Sequence, residues 1–281
     1  MRDRLLICTD LDRTLIPNGE DAESPEARKW FHKLAALPEI VLAYVTGRDQ
    51  RLVREAVEAY ELPLPAFVLG DVGSTIYACE GWSWQHWEAW EAHIAPDWGG
   101  RSHAELATLL AGLPDLQIQE EFKQNTHKLS YYVSLGVDHR ELMDAMERRL
   151  QAEGIHASLI WSIDEPADIG LLDVLPARAT KRHAIEFLME EQGFGLANTV
   201  FAGDSGNDLP VLVSPIPAIL VHNASKEIKR EAQEMASMAG TVATLYLARG
   251  GFQGMNGNYA AGILEGLVHY HPALTARLES V

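Results

Sequence analysis

An α/β fold, a doubly wound parallel sheet interrupted by an inserted α+β domain, is what this sequence predicts, on three observations. Toward both ends of the chain, short runs that are apolar throughout alternate with segments of helical periodicity, as in a parallel sheet covered on both faces. Between Trp82 and Pro166 the rhythm breaks, and strand-like runs alternate polar and apolar residues as half-exposed antiparallel strands do. The 281 residues also suffice for two domains, with about 150 residues per domain as the prior. The expected division is a core of 1–81 and 167–281 carrying an insertion of 82–166.

The elements follow in order. Leu5-Leu6-Ile7-Cys8 reads as a buried strand that turns abruptly into Thr9-Asp10-Leu11-Asp12-Arg13-Thr14. Ser24 is placed to N-cap a helix with Pro25 at its first position, and Ala27, Trp30, Phe31, Leu34 and Leu37 recur at helical spacing until Pro38. A second strand covers 40–45 and ends in Thr46-Gly47-Arg48; Leu52, Val53, Ala56 and Val57 then mark a helix, and 66–69 a third strand. The insertion opens with a helix bearing Trp82, Trp84, Trp87 and Trp90, a stripe best read as packing between the two domains. Strands at 116–120 and 128–134, a helix through Leu142, Met146 and Leu150, and a strand at 156–163 complete it. Beyond it, Lys181 opens a helix with Ala184, Phe187 and Leu188, strands cover 199–202 and 218–221, and the glycine-rich segment 249–258 reads as a flexible loop near the site entrance.

Composition narrows the function. A net charge of −17 repels polyanions such as nucleic acid or an anionic membrane surface, so a phosphorylated substrate must be met by a local positive site. Two cysteines make no disulfide framework and fit a reducing compartment. No apolar run approaches the about 18 residues of a membrane span, and no signal peptide is visible, so a cytoplasmic protein is expected.

Four polar motifs stand at strand ends or helix starts of the core: Asp10-Leu11-Asp12-Arg13-Thr14, Thr46, Lys181, and Gly203-Asp204-Ser205-Gly206-Asn207-Asp208. Any one alone suits a solvated turn or a helix cap. In an open parallel sheet, however, ligands bind at the carboxyl ends of the strands, and together the four supply carboxylates, a cation and hydrogen-bond donors there.

In order and spacing these motifs resemble those of haloacid dehalogenase superfamily phosphatases. The resemblance implies a Rossmann-like core with a type C2 cap and a phosphomonoester hydrolase using Mg²⁺. It implies Asp10 as nucleophile, Asp12 as general acid and base, and Thr46 and Lys181 as phosphate-stabilising groups. The metal would be held by Asp10, Asp12 through its carbonyl, Asp204 and Asp208. Thr14, Gly47, Arg48, Ser205 and Asn207 would surround the phosphate and the metal shell. Further segments, among them Gln124-Asn125-Thr126-His127-Lys128, Val72-Gly73-Ser74-Thr75 and Leu172-Asp173-Val174, resemble the sucrose-phosphate phosphatases. That branch implies sucrose 6-phosphate as substrate, with Gly73, Ser74, Asn125, Lys128 and Asp173 around the sugar. Phosphates of mannosylfructose or of glucosylglycerol type are the related alternatives, and a non-catalytic domain partnering a sucrose-phosphate synthase is another. Thr75 and Arg13 depart from the branch's pattern, which usually has Glu at the first position and Asn, Ser or Gly at the second. A monomer is expected.

Overall fold

The computed structural model describes residues 4–164 and 167–279. The chain begins with β1 (Leu5–Thr9), α1 (Ala27–Ala35), β2 (Ile40–Val45), α2 (Gln50–Ala59) and β3 (Phe67–Gly70). A hairpin of β4 (Thr75–Glu80) and β5 (Ser83–His86) follows, then α3 (Glu88–Ile94), α4 (His103–Leu110), β6 (Gln117–Ile118), β7 (Leu129–Val133), α5 (His139–Ala152), β8 (Ala157–Asp164) and β9 (Ile169–Pro176). The last part holds α6 (Lys181–Gln192), β10 (Thr199–Gly203), α7 (Leu209–Leu212), β11 (Ala218–Leu220), α8 (Lys226–Ala239), β12 (Leu245–Leu247), α9 (Ala260–Tyr270) and α10 (Ala273–Glu279).

Eight strands form the core sheet in the order β12-β11-β10-β1-β2-β3-β4-β5. From β12 to β3 all neighbours are parallel, and the β4–β5 hairpin adds an antiparallel edge. The chain leaves β1 toward β2 and β3 and later returns through β10 on its other side. The strand order therefore reverses at β1, and the crevice of a doubly wound sheet lies at its carboxyl end. The sheet is buried on both faces: Leu5 and Ile7 of β1 enter one apolar cluster with Phe31, Leu34, Ile263 and Leu267, whereas Leu6 and Cys8 enter another with Trp90, Ala184, Leu188 and Ala232. A side chain such as Leu6, fully buried, contributes about 1.5–3 kcal/mol over its exposed state.

The second sheet, β6-β7-β9-β8, is antiparallel throughout and has its own core of Trp98, Leu106, Leu110, Leu129, Leu142, Met146, Leu150, Leu172 and Val174. We call it the cap. Two short crossings join it to the core. They are tied together by Asp97, whose carboxylate accepts from the Arg178 N–H (2.8 Å) and Nε (2.9 Å) and whose carbonyl accepts from the His156 N–H (2.7 Å).

Several expectations are corrected. Helix α1 starts at Ala27, behind Glu26, and Ser24 does not cap it; its hydroxyl is drawn instead to Asn256, donating to Oδ1 at 2.9 Å. Trp82 and Trp84 lie in the β4–β5 hairpin and not in a helix, because Ser83-Trp84-Gln85-His86 pairs along β4. Sheet membership also shifts the expected joints. β5 belongs to the core sheet although it lies beyond 81, and β9 to the cap sheet although it lies beyond 166, a position itself outside the described residues. The segment 249–258 is fastened, since the Arg249 and Gly250 N–H groups donate to the Glu265 carboxylate at 2.9 and 2.8 Å. Both cysteines are free. Among the described residues no helix is long and apolar enough to cross a membrane.

Candidate active site

Asp10 follows β1 directly, and its N–H extends the sheet by donating to the Ala202 carbonyl at 2.9 Å, which fixes the residue over the carboxyl end of the strand. It is buried, 5% exposed. Lys181 reaches it from the first turn of α6, with Nζ 3.1 Å from Asp10 Oδ1, 2.7 Å from Asp208 Oδ1 and 3.2 Å from Asn207 Oδ1. The Thr180 hydroxyl caps that helix by accepting from the His183 N–H.

The loop after β10 completes the group. A Cβ on Gly203 would lie 2.6 Å from the Asp208 carboxyl carbon, so only glycine lets Asp208 fold back there. Its Oδ2 then accepts from the N–H groups of Asp204 (3.1 Å) and Ser205 (3.2 Å) and from the Ser205 hydroxyl (3.2 Å). Asp204 accepts from the Thr14 hydroxyl at 3.0 Å and lies 3.8 Å from Arg13 Nε.

Asp10, Asp204 and Asp208 can each direct a carboxylate oxygen to positions within 4.8 Å of one another. Burial, opposed by Lys181 and reinforced by Asp208 and Asp204, pushes Asp10 up to about 8. Burial and Asp208 likewise push Asp204 up to about 6. For Lys181 burial works against the charge, but Asp10 and Asp208 overcome it and raise its pKa, so the ammonium persists. Three buried carboxylates around one ammonium leave negative charge in excess. A hard divalent cation, which prefers oxygen ligands, fits this donor set.

Asp12 points elsewhere. Arg48 grips it in a fork, Nε to Oδ2 at 2.7 Å and Nη2 to Oδ1 at 2.5 Å, and Asn18 Nδ2 adds a third bond at 2.7 Å. Burial acts to raise the Asp12 pKa, but the Arg48 and Asn18 bonds outweigh it and hold the carboxyl below its usual value. Thr46 is fully buried at the end of β2, its hydroxyl accepting from the Arg48 N–H at 3.2 Å.

Asp10, Asp12, Arg13, Gly47, Arg48, Leu52, Asp204, Ser205 and Asn207 line a pocket of about 330 Å³. Gly47, Leu52, Ser205 and Asn207 also line a second space of about 490 Å³, whose other wall comes from the cap, including Phe122, Lys128, Ile160, Ser162 and Asp173. The small acidic pocket thus opens into a larger cleft between core and cap.

Of the residues expected around a sugar, Lys128 and Asp173 line this cleft, with Asp173 accepting from the Ser130 hydroxyl at 2.5 Å. Gly73, Ser74 and Asn125 line neither space. Asn125 Nδ2 donates to the hydroxyls of Ser74 and Thr75 at 3.2 Å each, and Gly73 packs against the Thr180–Lys181 backbone. Two participants escaped sequence reasoning. Asn18 carried no signal, whereas Asp71, buried at 6% exposure and 3.3 Å from Lys128 Nζ, sits in Gly70-Asp71-Val72-Gly73 directly after a strand, a pattern that could have drawn attention.

A family model described as sucrose-6F-phosphate phosphohydrolase matches residues 3–271. The chain belongs to that family. It is accordingly a phosphoric monoester hydrolase of the haloacid dehalogenase superfamily. A putative HAD-like hydrolase of Nitrosococcus oceani is 52% identical over 280 residues, covering 100% of this chain and 75% of that protein. Sucrose-phosphatase 1 of Nicotiana tabacum is 28% identical over 80% of this chain, and the chain spans 52% of the length of that relative. Mannosylfructose-phosphate phosphatase of Agrobacterium fabrum is 29% identical, over 81% of this chain and 87% of its own. Among solved structures, the sucrose-phosphatase of Synechocystis in complex with sucrose and phosphate superposes with a TM-score of 0.74 and 25% identity, over 96% of this chain and 99% of that one.

Proposed function

We propose that this member of the family is a Mg²⁺-dependent phosphatase that hydrolyses sucrose 6-phosphate to sucrose and phosphate. One observation carries the reading: the buried group of Asp10, Lys181, Asp204 and Asp208 stands at the reversal point of the sheet and opens into a cleft large enough to enclose a leaving group. Asp12, once out of the Arg48 fork and carrying a proton taken from solvent, gives that proton to the sugar oxygen as Asp10 attacks phosphorus and the bond to that oxygen breaks; water then releases phosphate from the aspartyl phosphate, with the resulting Asp12 carboxylate as base. Lys181 and Thr46 neutralise and hold the phosphoryl oxygens, with Thr14, Gly47, Arg48, Ser205 and Asn207 around them. Substrate phosphate competes for the Arg48 guanidinium and so frees Asp12 for proton transfer. Asp10, Asp204 and Asp208, with the Asp12 carbonyl, would hold Mg²⁺, which when bound balances the excess carboxylate and phosphoryl charge. Lys128 and Asp173 face the sugar.

Phosphate release from a panel of sucrose 6-phosphate, mannosylfructose phosphate, a glucosylglycerol phosphate, hexose phosphates and a nucleotide tests this. Sucrose 6-phosphate should exceed the hexose phosphates in kcat/KM by about 10-fold or more, the discrimination a few extra hydrogen bonds provide. Asp10→Asn should lose at least about 1000-fold in kcat, as loss of a nucleophile does. Equal rates for wild type and variant would remove the nucleophile; a flat panel would remove the disaccharide. Highest activity on mannosylfructose phosphate would instead align the chain with its Agrobacterium relative.

A further inference from the structure

We propose that Asp71 and Lys128 are positioning residues for Lys181, so that docking of the cap on the loop after β3 sets the place of the phosphate-binding ammonium. The inference rests on Lys181 serving phosphoryl transfer. The loop after β3 is strained: Asp71, Val72 and Gly73 have φ of +50°, +61° and +93°, two of them without the freedom of glycine. Such conformers cost about 1–3 kcal/mol each and persist only where the surroundings enforce them.

Here the surroundings belong to three parts of the site. The Val72 and Asp71 N–H groups donate to the carbonyls of Thr46 (3.1 Å) and Arg48 (3.0 Å), tying the loop to the segment that borders the acidic pocket. Gly73 lies so close to α6 that a Cβ there would be 2.6 Å from the Thr180 carbonyl carbon and 2.8 Å from the Lys181 nitrogen, and its carbonyl accepts from Trp90 Nε1 at 3.1 Å. From the cap, Lys128 Nζ lies 3.3 Å from Asp71 Oδ1 while the Thr75 hydroxyl donates to Oδ2 at 3.2 Å, and Asn125 bonds Ser74 and Thr75. Both charged side chains are largely buried, at 12% and 8% exposure. Withdrawing either partner leaves a buried charge unpaired, and the strained turn loses what pins it. Because the turn abuts Lys181 through backbone atoms, its relaxation is transmitted to the ammonium without passing through the sugar.

A substrate with no sugar separates this role from sugar binding. On p-nitrophenyl phosphate, Lys128→Met and Asp71→Asn should each lower kcat by about 10- to 100-fold with little change in KM, the scale of a misplacement near 1 Å. The double variant should be no worse than the poorer single, since both break one contact. Lys128→Arg should restore part of the loss. Thermal unfolding of each variant identifies any that fails to fold, and Asn125→Ala, which removes the neighbouring cap bonds without touching a charge, then carries the same expectation. Unchanged kcat on p-nitrophenyl phosphate in a folded Lys128→Met, with a raised KM on sucrose 6-phosphate, would overturn the proposal and leave Lys128 a sugar contact only. Failure of the phosphatase reading would show separately, as p-nitrophenyl phosphate turnover that survives Asp10→Asn.

Discussion

Replacing Gly73 by alanine puts a methyl group where the protein has no room for it. The added Cβ would meet Thr180 C, Thr180 O and Lys181 N at 2.6, 2.7 and 2.8 Å, all backbone atoms of a helix start, so no side chain can rotate out of the way. Ordinary carbon contacts are about 3.5–4.0 Å, so α6 must retreat by most of an ångström. The left-handed conformation, φ +93°, adds about 1–2 kcal/mol for a residue with a Cβ, and overpacking adds about 1–3 kcal/mol, against a gain of about 0.4–1 kcal/mol from a stiffer unfolded chain. The net expectation is a loss of about 1–5 kcal/mol, read by urea unfolding. Lys181 is the first residue of α6, so kcat on p-nitrophenyl phosphate should fall about 10- to 100-fold in the folded variant. Gly81→Ala serves as control: φ there is +59° and a Cβ would meet nothing within 4 Å, so it should lose stability only by strain and keep its kcat. Gly73→Ala behaving like Gly81→Ala in both assays would refute the steric argument.

Two other perturbations address charge. Holding the Asp204 carboxyl at about 6 instead of 3.8 costs about 3 kcal/mol at neutral pH, so Asp204→Asn should raise the metal-free stability by about 1–3 kcal/mol and abolish most of the Tm gain given by Mg²⁺; equal gains in both proteins would count against Asp204 as a ligand. Burial, aided by His86 and opposed by Glu91, holds His127 below its usual 6.5. The unfolded chain then takes the proton first, so stability is full above 6.5 and declines as pH falls through the folded value. Wild type should lose more Tm than His127→Gln between about pH 7 and about pH 5, and parallel curves would dismiss the effect.

The core was legible because parallel strands buried on both faces are apolar along nearly their whole length, with threonine only at an end of β1 and of β10: β2 falls at the residues its apolar run marks, and β1 and β10 extend theirs by one residue. Tryptophans at 84, 87 and 90 fit a helix by spacing, yet Trp84 sits with Trp82 in a hairpin because pairing with β4 outweighs local periodicity. The acidic cluster was legible too, since Asp10 and Asp204 directly follow β1 and β10 and Asp208 lies in the same loop as Asp204. The destination of each side chain was not. That Asp12 lies in Arg48's grip, and that Lys128 meets Asp71, depends on contacts across 36 and 57 positions, which local pattern does not encode.

The central place of β1 has a consequence for how the molecule is made. Its partners on one side, β2 and β3, follow at once, but β10 begins only at Thr199, and Thr14 meets Asp204 across 190 residues. The cap sheet closes within residues 117–176, before β10 has left a ribosome. Contacts of long sequence separation form late, because loop closure must come first. In a nascent chain β1 therefore waits as an open edge while the cap matures beside it. The three carboxylates converge only when β10 joins β1, at a point in the chain where β11 and β12 have still to be added to the sheet.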